Sequence, residues 1–234
     1  MFPLHDDNPT KTVAFFTVTF IAMAVGVFLW QFTRNELEQS QILLGLGFIP
    51  AALLGAQDNA ATLPTITPWL TLFSSMFLHG GWMHLLGNML FLWIFGNNVE
   101  ESMGHVRFVV FYLLCGVVAA LSQAYGNPES TIPMVGASGA ISGVLGAYLL
   151  LYPHARILTL IVLGFFIRTI YLPAMVVLGL WFVLQLVNSW LSSGAQGGVA
   201  WGAHIGGFVA GMVFIPLFKN KDHRLFSPPR IPPR

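Results

Sequence analysis

Charged residues are scarce in this sequence. Asp, Glu, Lys and Arg make up 8% of its 234 residues, whereas they make up about a quarter of a typical soluble domain. Hydrophobic residues account for 56%, and the mean hydropathy is +0.73. This composition argues against a water-soluble globule, and the net charge of +1 gives no reason to expect a nucleic-acid partner. We therefore expect an integral membrane protein surrounded by a lipid bilayer.

Cysteine is scarcer still. The single residue, Cys115, lies within an apolar run, where its thiol is expected to pack against other side chains. One cysteine cannot build a disulfide framework or a cysteine-based metal cluster. Secreted disulfide-rich scaffolds and cysteine-ligated metal proteins are therefore excluded as classes.

Six apolar runs are long enough, or nearly long enough, to cross about 30 Å of hydrocarbon as helices. They cover residues 12–33, 82–99, 106–125, 137–152, 172–190 and 200–218. The first run is expected to be a retained anchor and not a removed signal peptide. A long external loop, residues 34–68, follows it and contains a half-buried apolar segment at 42–54. The sequence thus predicts an all-α membrane protein with one membrane domain, residues 1–218, built as a bundle of six transmembrane helices.

A seventh apolar stretch, residues 157–167, is short and rich in β-branched residues. It lies between Arg156 and Arg168, which would have to enter the membrane if the stretch spanned it. We predict an interfacial or re-entrant segment here.

The basic residues orient this bundle. Lys and Arg are frequent after the last run and mark the loops after the second and fourth runs, at Arg107, Arg156 and Arg168. The loops at 126–133 and 191–199 contain neither Lys nor Arg. By the positive-inside rule, both termini are cytoplasmic, and residues 219–234 form a basic cytoplasmic tail. That tail contains Lys219, Lys221, Arg224, Arg230 and Arg234.

Four polar residues fall inside the predicted spans, where a polar group is costly unless it has a role. His84 and Asn88 lie on the second span, Ser138 begins the fourth and His204 lies near the start of the sixth. Since even-numbered spans run from outside to inside, all four fall near the same external surface. The sequence therefore predicts one shared polar layer near the outer face.

This layer has the components of a nucleophilic site. Ser138 would begin a helix between Gly136 and Gly139, and the free amides of a helix start can stabilise negative charge. A serine hydroxyl needs a base to accept its proton, and His204 is the candidate base if the fourth and sixth spans touch. Glycines on both spans predict that close contact. They are Gly139, Gly143 and Gly146 on the fourth span, and Gly202, Gly206, Gly207 and Gly211 on the sixth.

The remaining parts of the site follow from spacing. His84 and Asn88 are four residues apart, so both leave one face of a helix and are candidate oxyanion donors. None of the nine acidic residues falls in the outer half of a predicted span. A Ser-His dyad, with the imidazole oriented by packing instead of by a carboxylate, is therefore predicted.

Other interpretations of the same residues stay open. Taken alone, Ser138 is a common small packing residue at a helix crossing. His84 and His204 are also compatible with a haem or metal ligand pair, and a transporter or redox protein would use them differently. We find no convincing internal repeat of the kind that transporters carry. His79 is predicted to cap or line the external mouth, and Gln185 and Asn188 to hydrogen-bond between helices.

Four motifs, taken in order, resemble those of the rhomboid family of intramembrane serine proteases. They are His84-Leu85-Leu86-Gly87-Asn88, Gly136-Ala137-Ser138-Gly139, Ala203-His204-Ile205-Gly206-Gly207 with Gly211, and Glu100 in a Gly-Asn-Asn-Val-Glu-Glu stretch. The resemblance implies a Ser138 nucleophile, a His204 general base, and oxyanion donors in His84, Asn88 and the Ser138 backbone amide. It also implies supporting roles for Gly136, Gly139 and Gly207, and a structural role for Glu100.

The same resemblance implies a fold, a substrate class and a location. The fold is a six-helix rhomboid-like bundle in a bacterial inner membrane, with its site open to the external side. The substrates are single-pass transmembrane proteins, cleaved near the outer face without a cofactor or metal. The fifth span would act as a lateral gate. A catalytically inactive, protein-binding relative is the alternative, against which intact Ser138 and His204 argue.

Two positions depart from the family pattern. An aromatic residue often stands four residues after the nucleophile, where it stacks on the catalytic histidine, but here that residue is Ser142. The Trp-Arg pair of the first external loop is represented by Trp69-Leu70. The sequence therefore predicts a different neighbour for His204 and a different anchoring of that loop.

Overall fold

The computed structural model of the protein describes residues 1–54, 66–191 and 199–228. The helices in these ranges are α1 (Phe15–Phe32), α2 (Glu36–Leu46), α3 (Pro50–Leu54), α4 (Pro68–Ser74), α5 (Trp82–Met103), α6 (His105–Gly126), α7 (Ser138–Leu151), α8 (Ala174–Leu191) and α9 (Trp201–Phe218). The strands are β1 (Phe2–Asp6), β2 (Arg156–Leu163) and β3 (Phe166–Pro173). Each of the six predicted spans coincides with one of the long helices, with ends that differ by a few residues.

Four of the helices, α1, α6, α8 and α9, are long and apolar enough to cross a membrane, and α7 is a shorter apolar helix. The helix α5 is 22 residues long, but His and Asn side chains lower its hydropathy. The protein is thus a mostly helical, multi-pass integral membrane protein.

The helix α7 lies at the centre of the bundle, with residues 140–148 all buried. It packs closely on α9 because glycines remove the side chains that would hold the two helices apart. A Cβ on Gly207 would collide with the carbonyl oxygen of Gly139, and a Cβ on Gly211 would collide with that of Gly143. The close contact predicted between the fourth and sixth spans is therefore present.

Residues 157–167, predicted to be an interfacial or re-entrant segment, adopt an extended conformation, so the fold is not purely α-helical as predicted. The stretch forms most of the antiparallel hairpin β2–β3, in which Ile157 faces Leu172 across the pair. The hairpin turns at Gly164, which has φ +58°, and β1 pairs with the other edge of β2. Residues 172 and 173 belong to β3, so the fifth helix begins at Ala174 instead of residue 172. One edge of β2 is satisfied by the neighbouring β3, and the other by a strand more than 150 residues away, which no local pattern signals.

The first loop is partly helical where it is described. Asn35 and Glu38 form a capping box at the start of α2, and Phe48, Ile49 and Ala51 are buried, in agreement with the half-buried segment predicted at 42–54. The backbone of Phe48 pairs with that of Met134. The loop is thereby joined to the segment that leads into α7.

Several predictions fall outside the described residues. They concern residues 55–65 of the first loop, most of the loop at 191–199, and the end of the tail with Arg230 and Arg234.

Candidate active site

Ser138 and His204 meet at one end of the bundle. Ser138 is the first residue of α7, and His204 lies in the first turn of α9. The Oγ atom of Ser138 is 2.8 Å from Nε2 of His204, which is within direct hydrogen-bond reach. Two side chains 66 residues apart in sequence are therefore placed so that a proton can pass between them.

The segment before Ser138 is fixed by its backbone. Gly136 has φ +119°, a backbone conformation that residues other than glycine rarely adopt. Its amide donates to the carbonyl oxygen of Ser75 at 2.9 Å, and Met134 exchanges backbone hydrogen bonds with Phe48 at 2.7 and 3.0 Å. The start of α7 is thus held by two separate parts of the chain.

His84 and Asn88 lie against this segment from α5. A Cβ on Gly136 would stand 2.6 Å from the His84 ring and 3.5 Å from Nδ2 of Asn88, so the glycine leaves room for both side chains. Asn88 is buried, and its Nδ2 has no hydrogen-bond partner among the residues that the structure describes. A buried donor without a partner costs free energy, and this one is available to an incoming acceptor.

These residues line a cavity of about 580 Å³, with His84, Asn88, Ser138 and His204 on its polar side. Apolar walls come from several helices and include Met76, Phe91, Leu145 and Trp181. The volume is that of a typical ligand pocket, and the mixture of apolar walls with a few convergent polar groups is typical of a binding site. The four predicted polar residues are thus brought together around one space.

The neighbours of His204 were only partly foreseen. Ser142, at the position of the missing aromatic residue, donates its hydroxyl to the carbonyl oxygen of Ser138 at 2.7 Å. The rings beside His204 belong to Trp181, at 5.9 Å between centroids, and Trp201, at 6.0 Å. The Nδ1 atom of His204 is 2.9 Å from Oε1 of Gln185. The spacing of four puts Trp181 and Gln185 on one face of α8, but no signal in the sequence indicates that this face meets His204.

His79 does not line the mouth of the site, contrary to the prediction. It is buried, and its ring lies 5.2 Å from that of His84 in an edge-to-face arrangement. Burial lowers the pKa of His79 to about 4, with the neighbouring His84 as the second cause. The imidazole is therefore neutral at physiological pH and packs behind His84.

Glu100 lies at the opposite end of α5, far from the cavity along the helix. Its carboxylate accepts hydrogen bonds from the amides of Phe16 and Thr17 at 2.9 and 2.8 Å. It also accepts one from the Thr17 hydroxyl at 2.7 Å, and its Oε1 is 2.6 Å from Nδ1 of His105. The carboxylate thus caps the first turn of α1, which has no cap of its own.

The chain is similar to known proteins of one family. A family model for the rhomboid domain matches residues 67–221. Rhomboid protease GluP of Bacillus subtilis (strain 168) is 30% identical over 83% of this chain and 34% of its own length. Rhomboid protease AarA of Providencia stuartii is 26% identical over 89% of this chain and 74% of its own. The mitochondrial Rhomboid protein 1 of Saccharomyces cerevisiae is 28% identical over 64% of this chain and 42% of its own length.

The match spans a third to a half of the length of several of these relatives. The residues matched by the rhomboid-domain model include the whole of the polar layer, from His84 to His204. Since the rhomboid-domain match covers well over half of the sequence, the chain belongs to the rhomboid family.

Proposed function

We propose that the protein is an intramembrane serine endopeptidase that uses Ser138 as nucleophile and His204 as general base. The observation that carries this proposal is the distance of 2.8 Å between Oγ of Ser138 and Nε2 of His204. His204 takes the hydroxyl proton as Oγ attacks the scissile carbonyl carbon. The resulting imidazolium then gives that proton to the leaving amine, and water hydrolyses the acyl-enzyme in the reverse sense.

The negative charge of the tetrahedral intermediate needs hydrogen-bond donors. We assign this role to the backbone amide of Ser138, to the Asn88 side chain and to His84. The amide belongs to the first turn of α7, where it is free of the helix ladder. Asn88 contributes a buried donor that no described residue occupies, so the donor needs no reorganisation to receive the oxyanion. Gly136, Gly139 and Gly207 support the site by allowing the close approach of α5, α7 and α9.

The proposed substrates are single-pass transmembrane proteins, cleaved near the outer face of a bacterial inner membrane. Six transmembrane helices with both termini in the cytoplasm place the cavity toward the outside. In support, basic residues gather at the end away from Ser138, where Arg107 donates to the side chain of Asn220 at 3.2 Å and Arg156 pairs with Asp7 at 2.6 Å. GluP and AarA, both bacterial, match more than four fifths of this chain.

An activity-based probe tests the proposal. We expect a fluorophosphonate to label the full-length, detergent-solubilised protein and to leave Ser138→Ala unlabelled. Ser40→Ala removes an exposed hydroxyl and serves as the matched control that keeps labelling. Ser138→Ala protein that still reacts would place the nucleophile elsewhere. A folded wild type that neither reacts with the probe nor cleaves a reconstituted transmembrane substrate would favour the inactive, protein-binding alternative.

A further inference from the structure

We propose that Gln185 is a positioning residue that holds His204 in the tautomer able to accept the proton of Ser138. This inference rests on the proposed dyad, and it adds a third side chain supplied by α8. Gln185 contacts neither Ser138 nor the space where a substrate would react, so it acts through the imidazole alone.

The burial of Gln185 is unusual for its helix. α8 is the least buried of the four candidate spans, with 22% of its apolar window inside the protein, against 44% for α6. Its buried residues are Ala174, Val177 and Leu178 near its start, and Gln185 further along. A buried amide is costly unless its hydrogen bonds are made. The one polar residue that α8 buries therefore has to find partners where it meets α9.

Those partners fix the direction of the amide. Nε2 of Gln185 donates to the carbonyl oxygen of Trp181 at 3.1 Å, which can only accept. Oε1 consequently faces Nδ1 of His204, at 2.9 Å. Rotating the amide by half a turn would bring Oε1 against the Trp181 carbonyl, so that two acceptors would face each other. The hydrogen-bond network thus assigns the orientation of the side chain.

The amide orientation then determines the histidine tautomer. Because Oε1 accepts only, the hydrogen of a neutral imidazole lies on Nδ1, and Nε2 carries the free lone pair. That nitrogen is the one 2.8 Å from Oγ of Ser138. In the other tautomer, Nε2 would carry the hydrogen, so it could not accept the serine proton. Gln185 thereby selects the form of His204 that can act as a base.

The same helix also holds the plane of the ring. Trp181, one turn before Gln185, lies 5.9 Å from the His204 ring and 5.9 Å from Phe208. Phe182 stacks on Phe208 at 4.5 Å with an interplanar angle of 20°. α8 therefore supplies both the ring contact that Ser142 does not provide and the acceptor that an acid provides in a triad. A neutral amide does so without burying a charge.

Histidine tautomers can be measured directly. We would label the full-length protein with ¹⁵N-histidine and record the imidazole nitrogen shifts in detergent at a pH where His204 is neutral. Subtraction of the His204→Ala spectrum assigns the resonances. We expect a protonated Nδ1 and an unprotonated Nε2 for His204 in the wild type. A wild-type His204 with its hydrogen on Nε2 would overturn the inference, even if the protein is an active protease.

Variants test the effect on turnover. Gln185→Met keeps the length of the side chain and removes the acceptor, and we expect kcat to fall about 10- to 100-fold with KM within about twofold. Gln185→Glu, with its buried carboxyl neutral, keeps a donor for the Trp181 carbonyl oxygen and an acceptor for Nδ1–H, and should recover most of the lost kcat. Asn188→Leu removes an amide from the same helix, one turn nearer its end, and should leave kcat within about twofold.

The outcomes separate the two proposals. Full activity of Gln185→Met overturns the role of Gln185 while leaving Ser138 and His204 in place. Equal losses of kcat in Gln185→Met and Gln185→Glu also count against the positioning role of Gln185, because a structural role alone would give that result. If Gln185→Met fails to fold, the wild-type nitrogen shifts still decide. Probe labelling that survives Ser138→Ala overturns the dyad itself, and the role of Gln185 with it.

Discussion

The two ends of α5 both bury polar side chains, but they satisfy them differently. At one end, Glu100 accepts hydrogen bonds from the first turn of α1 and contacts His105. At the other end, Asn88 leaves Nδ2 without a partner in the described chain. Saturated hydrogen bonding is what a structural cluster requires, whereas a site must keep donors for its ligand. A free donor at Asn88 therefore distinguishes the site from the cluster around Glu100, whose carboxylate accepts all the hydrogen bonds described above.

A second group near Glu100 leaves no donor free, although Oδ1 of Asn8 has no partner in the described chain. The carboxylate of Asp6 accepts from the Tyr148 hydroxyl at 2.7 Å and from the Asn98 amide at 2.9 Å. The side-chain oxygen of Asn98 accepts from Asn8 at 2.7 Å. These bonds join β1 to α5 and α7. Carboxylates are found at this end of the helix, and neutral side chains line the cavity at the other.

The largest effect should come from the base. We expect His204→Ala to lower kcat by about a thousandfold or more, because no other described side chain is in reach of the Ser138 proton. The double variant with Ser138→Ala should be no worse than either single variant, since the two act as one unit. Rates of cleavage in detergent measure this. Additive losses would contradict the dyad.

Glu100→Ala should damage the fold and not the chemistry. It leaves the amides of Phe16 and Thr17 buried without an acceptor, which costs roughly 2–5 kcal/mol. The thermal midpoint in detergent should fall by several degrees or more, and the surviving folded protein should keep near-normal kcat. A stable variant with low kcat would place Glu100 in the active site and break the comparison between the two ends.

The variants Asn88→Ala and Asn98→Ala make the same chemical change at the two ends of α5. Together they test the comparison between the cavity end and the Glu100 end of this helix. Asn88→Ala should lower turnover about 10- to 1000-fold, through loss of one oxyanion donor, without loss of stability. Asn98→Ala should lower the thermal midpoint and leave kcat nearly unchanged, because it removes bonds to Asp6 and Asn8. Exchanged results would mean that saturation does not identify the site.

The smallest predicted effect is the pH dependence of Asp6. Burial raises the pKa of its carboxyl to about 6 from 3.8, although the Tyr148 hydrogen bond opposes the shift. The folded protein therefore binds this proton more tightly than the unfolded chain, so stability falls as pH rises from about 4 to about 6. The free energy of unfolding falls by about 1–3 kcal/mol over this range. Thermal midpoints across this range measure it.

Asp6→Asn should flatten that part of the curve, because the neutral amide keeps an acceptor for Tyr148 and Asn98 without a charge. Asp7→Asn is the control: Asp7 pairs with the largely exposed Arg156, and surface pairs contribute little. An unchanged pH dependence in Asp6→Asn would show that another group titrates.

The sequence predicted the dyad because its signals are local. Ser138 begins α7 and His204 lies in the first turn of α9, and the glycine spacing around them specifies which helix faces touch. The spacing of residues within one helix does not depend on how the other segments of the chain pack. The spacing of four residues likewise predicted that His84 and Asn88 lie on one face of α5.

The hairpin and the histidine partners could not be found in this way. An apolar β-branched run such as 157–167 fits a strand or a membrane-buried segment equally well until its partner is known. The stretch is paired with β3 on one edge and, on the other edge, with β1, which lies at the other end of the chain. His79 was misplaced for a similar reason, since its burial depends on how the segment before α5 packs on α1 and α5.

The sequence by itself determined where the apolar helices run, to within a few residues, and which polar groups come together at one end of the bundle. Those properties follow from composition and from the 3.6-residue period, both of which belong to a single segment. Only the tertiary structure decided that Gln185 and Trp181 face His204, that Asp6 reaches Tyr148, and that residues 156–173 form a hairpin. Each of these depends on the rotation of one element about its axis relative to another, and packing across the whole bundle sets that rotation.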